Sequence, residues 1–116
     1  MNEKQRRCGD KAAFILDQIA TLFSMGPDRK VVGANGIHFK HPEEAVRFHG
    51  ERLRVLARAA RLSDDKLAAR LRAIRARLGE DAWATRYEAD FTGAPKAMIR
   101  LVVEASLLEI ALGKEA

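Results

Sequence analysis

Apolar residues recur at helical spacing through most of the chain. From Asp10 to Met25 the series is Ala12, Ile15, Leu16, Ile19, Leu22 and Phe23. This predicts a first helix with Asp10 as N-cap and Gly26-Pro27 as its stop. A second periodic stretch starts after His41, with Pro42 at the first helical position and Glu43 and Glu44 in the first turn. All three residues suit a helix N-terminus, where backbone NH groups are unpaired and the dipole is positive. The stretch runs to about Leu62. Ser63 then caps a third helix, with Asp64 and Asp65 behind it, a core stripe of Leu67, Leu71, Ile74 and Leu78, and Gly79 at its end. A shorter helix spans about Glu80 to Phe91. After the break at Thr92-Gly93-Ala94-Pro95, a last helix runs to about Leu112. That helix is apolar almost all round, with Arg100 and Glu104 as its polar strip, as befits a helix at the centre of a bundle or one covered by a second subunit.

Between the first two helices the period changes. Val31 and Val32 precede Asn35-Gly36, and Ile37 and Phe39 follow it. Asn-Gly tolerates the positive φ of a tight hairpin turn, so residues 30–40 are expected to form a short β-hairpin or an ordered loop leaning on the helices. The fold class is therefore all-α: a compact bundle of four to five helices in one domain, residues 1–116, with residues 1–9 as a flexible N-terminal arm. Mid-helix Gly50 costs about 1 kcal/mol relative to Ala, and close packing of another backbone is the expected reason.

Charge adds to this picture because it is concentrated. Residues 47–77 hold ten of the twenty-one Lys and Arg and three acids, for +7, against +5 for the whole chain. On the second helix Arg47, Arg54, Arg58 and Arg61 gather on one side, between an apolar face of Val46, His49, Leu53, Leu56 and Ala60 and another of Phe48, Val55, Ala59 and Leu62. On the third, Lys66, Arg70 and Arg77 flank the core stripe. Such rows predict an Arg-rich two-helix face, because guanidinium forks pair with phosphate oxygens two at a time. Solvated helix faces would look the same in sequence. The stretch has one aromatic, Phe48, so contact with a nucleic-acid backbone is favoured over base stacking.

The expected function is a non-catalytic regulatory or accessory protein that docks on nucleic acid or a nucleoprotein complex through that face. The alternative is a protein–protein interaction module, a dimeric adaptor or an inhibitor of a larger enzyme. Its apolar rows Phe48/Val55/Leu62 and Trp83/Tyr87/Phe91 would carry affinity, and the arginines would steer it to an acidic partner. The two-sided apolar helices also make a homodimer a candidate.

Catalytic and cofactor chemistry finds little support. His38, His41 and His49 lie near Glu43 and Glu44 but match no metal-ligand spacing, so no metal site is expected. Gly33 and Gly36 lack the phosphate-loop pattern, and no cofactor is expected. Cys8 is the only cysteine, which excludes an intrachain disulfide. No apolar run approaches the length that spans a bilayer, so no membrane partner is expected and a cytoplasmic location is the default.

Overall fold

The computed structural model describes residues 1–24, 31–32, 38–39, 42–86 and 94–114. The chain is an all-α protein. Five helices are described: α1 (Glu3–Ser24), α2 (Pro42–Ala59), α3 (Asp64–Leu78), α4 (Glu80–Ala84) and α5 (Lys96–Leu112). Between α1 and α2, β1 (Val31–Val32) and β2 (His38–Phe39) run antiparallel, with Val31 opposite Phe39 and Val32 opposite His38. Two residues a side make no sheet layer. The turn expected at Asn35-Gly36 lies outside the described residues, as do Met25, Gly26-Pro27, His41, Tyr87 and Phe91.

The N-terminal arm expected over residues 1–9 is instead helix from Glu3 onward. Its start is built by Asn2 and Gln5. The Gln5 backbone NH donates to Asn2 Oδ1 at 2.8 Å, and the Asn2 NH donates to Gln5 Oε1 at 3.1 Å. Two otherwise orphan donors are satisfied reciprocally, which is the capping-box geometry. Two turns on, Cys8 is 4% exposed and belongs to the same buried face as Ile15. The apolar period therefore begins earlier than Ala12.

α3 keeps its expected limits. The Ser63 hydroxyl accepts from the Lys66 NH at 3.3 Å, and Gly79 ends the helix at φ 89°. α2 ends at Ala59, three residues before the expected Leu62, because the chain tightens there. The Arg61 NH reaches the Arg58 carbonyl, and the Leu62 NH is shared between those of Arg58 and Ala59. At the far end of α5, Gly113 is left-handed at φ 75°. Its NH donates to the Ile110 carbonyl and the Lys114 NH to that of Glu109, a Schellman closure.

α5 packs against α1, α2 and α3, and this explains its all-round apolar sequence within a single chain. It buries Ala105, Leu107, Leu108 and Ala111 against Ile15 of α1, Leu56 and Ala59 of α2, and Leu67, Leu71 and Ile74 of α3. α2 packs on α1 and α5, whereas α3 packs on α5 and α4. The two Arg-bearing helices thus lean on a common neighbour and share little surface with each other. Among the described residues no helix is long and apolar enough to cross a membrane.

Candidate anion-binding face

The buried stripe of α2 is Ala45, His49, Arg52, Leu56 and Ala59, stepping by three and four residues. At about 100° per residue, Arg47, Arg54 and Arg58 project from the opposite side of the helix. All three are exposed, and so are Arg61 in the following turn and Lys66 in the first turn of α3. Among the described residues none of these five has a carboxylate partner. From Arg47 to Arg58 the row is about 16 Å long, at 1.5 Å rise per residue, and it is carried on a rigid element.

Of the expected α3 row, Lys66 and Arg77 stay exposed, whereas Arg70 is engaged within the fold. Arg70 is clamped by Glu104 of α5, Nε to Oε2 at 2.7 Å and Nη2 to Oε1 at 2.9 Å. These hydrogen bonds to the carboxylate raise the pKa of its guanidinium, as those that Arg75 donates to Glu80 do on the other side of α3. Arg77 stays exposed in the last turn. Because α2 and α3 are not packed side by side, the anticipated two-helix face contracts to the outer side of α2 and the corner that follows it. At that corner Lys4 of α1 donates to the Leu62 carbonyl at 2.8 Å and pairs with Asp64 at 2.6 Å, so Asp64 is already occupied.

Arg52 has a role that charge counting missed. It is 6% exposed. Its Nη1 donates to Gln18 Oε1 at 2.8 Å and lies 3.0 Å from His49 Nδ1, and its guanidinium sits 5.8 Å from the centre of the Phe48 ring. Since Arg has only donors, His49 Nδ1 must accept, which requires a neutral imidazole with its proton on Nε2. Burial, then the Arg52 charge, pushes the His49 pKa below its ordinary value, and burial also lowers that of Arg52. The signal in sequence was position: Arg52 lies seven residues from both Ala45 and Ala59, on the core side of the helix.

The residues nominated as an apolar interface are mostly used internally. Val55, Leu62 and Trp83 pack against the core cluster, and Phe48 meets His49 edge-on with ring centres 5.4 Å apart. Arg86 and Arg75 lie 4.0 and 5.8 Å from the Trp83 ring centre. Tyr87 and Phe91 are outside the described residues. Among the described residues the large exposed apolar side chains are instead Phe14 and Leu16 on α1, both 53% exposed, besides terminal Met1. Among the described residues no three His, Cys, Asp or Glu side chains come together as metal ligands. His49 is buried on α2, while His38 belongs to β2.

No protein-family model, curated protein or solved structure matches the chain.

Proposed function

We propose that this is a non-catalytic, cytoplasmic accessory or regulatory protein that docks on nucleic acid or a nucleoprotein complex through the outer face of α2. The observation that carries this reading is a contrast between two sets of arginines. Arg7, Arg52, Arg70, Arg75, Arg86 and Arg100 are all engaged by carbonyl or side-chain acceptors within the fold. Arg47, Arg54 and Arg58 are left in solvent along α2 and Arg61 in the turn after it, as are Arg72 and Arg77 on α3. A row of unneutralised guanidinium groups on a rigid helix attracts phosphates and displaces their counterions, so binding should weaken steeply with salt. Lys66 and Arg77 extend the same positive field at the corner and along α3, and Arg70 contributes only through its pair with Glu104.

The competing reading, an adaptor, dimer or enzyme inhibitor built on Phe48/Val55/Leu62 and Trp83/Tyr87/Phe91, is less well served, because Val55, Leu62 and Trp83 are half-buried against the protein's own core. Titration of labelled DNA and RNA at a series of salt concentrations tests the proposal. The expected result is binding at low salt, with a salt slope smaller by about one for each phosphate contact removed in Arg47→Gln, Arg54→Gln and Arg58→Gln. No binding at low salt, or a triple variant that binds as the wild type does, would overturn it.

A further inference from the structure

Gly50 lies in the middle of α2, where glycine weakens a helix. The expected reason, close approach of another part of the fold, is missing. A Cβ built on Gly50 meets no atom within 4 Å among the described residues. Its φ is not positive either, since the positive-φ glycines are Gly79 and Gly113. Neither packing nor backbone conformation within the described fold therefore requires glycine at this position.

The surroundings of Gly50 are the arginine row. Arg47 is three residues before it and Arg54 four after, so both flank it on the same side of the helix. One further turn along is Ala57, which is exposed. Along the outer face run Arg47, Gly50, Arg54, Ala57 and Arg58, with the exposed carboxylates Glu43 and Glu51 on the same side, Glu51 paired to Arg100 of α5. With no side chain at Gly50 and no described residue over it, a group from outside can approach the helix axis there, with a guanidinium on either side of it.

We infer that the Gly50 notch receives the sugar–phosphate backbone of a nucleic-acid duplex, with Arg47 and Arg54 gripping one phosphate from both sides. The inference rests on the nucleic-acid reading of the α2 face and gives it a substrate class. Duplex follows from two properties of the face. It is straight and rigid over about 16 Å, which suits a stiff rod of regularly spaced phosphates. Among the described residues it also offers no aromatic platform besides Phe48, which is engaged with His49 and Arg52, and single-strand binding draws on base stacking. Readout is of the backbone, hence independent of sequence.

The test measures melting and binding on the same variants: Gly50→Ala, Gly50→Leu and, as reference, Arg54→Gln. The probes are labelled duplex DNA, duplex RNA and a single strand of equal length, at low salt. Gly50→Ala is expected to raise Tm by about 4 °C or more, as a helix-favouring change at an open position should. It is also expected to weaken binding to a duplex by about fivefold or more, and Gly50→Leu further still. Three results would each overturn the notch while leaving the arginine face intact: Gly50 variants that bind like the wild type while Arg54→Gln binds more weakly, a Gly50→Ala variant that melts no higher, or a single strand that binds as tightly as a duplex. Absence of any wild-type binding would end both readings together.

Discussion

Arg7 of α1 closes the last turn of α5: its Nη2 donates to the Ala111 carbonyl at 2.8 Å, and its Nε to that of Ile110 at 3.2 Å. The last carbonyls of a helix have no partner within it. Here a cation supplies one at the negative end of the dipole, 104 residues away in sequence. Gly113 completes the arrangement, since a Cβ there would stand 3.2 Å from Arg7 Cζ. Arg7→Ala should lower stability by about 1–3 kcal/mol, the range for hydrogen bonds from a charged group. Deleting residues 2–9 should cost more, because it also removes Lys4 from the α2–α3 corner and Cys8 from the core. Urea denaturation of the three proteins checks this, and a deletion variant as stable as the full chain would refute the structural role of the first helical turns.

The Cys8 thiol provides an independent probe of the same region. Burial raises its pKa above the ordinary value of 9.0, outweighing the lowering by Arg7 and Lys4. A buried, protonated thiol is a poor nucleophile. Native protein should therefore react slowly with a disulfide reagent, and protein in denaturant at once. Arg7→Ala removes a charge that lowers the thiol pKa but also unties the start of α1 from α5, and this loosening should make it react faster than the wild type. The linkage sign is that of an acid whose folded pKa is raised. Above about pH 9 the unfolded chain ionises first, so stability falls as pH rises towards the folded value. Cys8→Ser should flatten that alkaline limb.

The reach of sequence reading depended on whether the forces were local. α3 was legible from end to end because Ser63, Asp64 and Gly79 act on their own helix. α5 was legible as a central helix because its apolar residues run all the way round. The start of α1 is equally local, written in Asn2 and Gln5, but Lys4, Arg6, Arg7, Asp10 and Lys11 around Cys8 hide the apolar period there. Arg70 and Arg52 are different. Periodicity placed Arg70 beside the core stripe, yet its capture by Glu104 spans 34 residues and depends on how α3 lies on α5. Arg52 sits on the core side of α2, and only Gln18, Phe48 and His49 around it make burial of that charge tolerable.

The Arg52–His49 contact predicts acid sensitivity. His49 is 2% exposed and its pKa is lowered from 6.5, first by burial and then by the Arg52 charge. Below about pH 6.5 the unfolded chain takes up a proton that the folded chain resists, so unfolding is favoured as pH falls. The contribution of neutral His49 is present in full above that value and declines until pH reaches the folded pKa. His49→Gln keeps an acceptor for Arg52 and removes the titration. Its denaturation midpoint should vary less than that of the wild type between about pH 7.5 and about pH 5. Parallel pH profiles for the two proteins would show that His49 is not the sensor.

Arg86 and Glu109 form the most sheltered ion pair of the described residues, with side chains 19% and 8% exposed. Nε meets Oε1 at 3.1 Å, while Nη1 donates to the Trp83 carbonyl at 2.7 Å and the guanidinium covers the Trp83 ring. The pair therefore ties the short α4 and its turn to the last turn of α5. Removing one member of such a pair strands a charge in a poorly solvated place, so Glu109→Ala should cost about 3–5 kcal/mol. Replacing both residues with apolar ones of similar size, Arg86→Met with Glu109→Leu, should recover much of that loss. Arg70–Glu104 offers the comparison, because its side chains are 50% and 25% exposed and solvent screens them. Glu104→Gln should change stability by no more than about 1 kcal/mol. A double-mutant cycle on each pair, read by urea denaturation, separates the two cases. Equal coupling energies would mean that burial does not set the strength of these contacts.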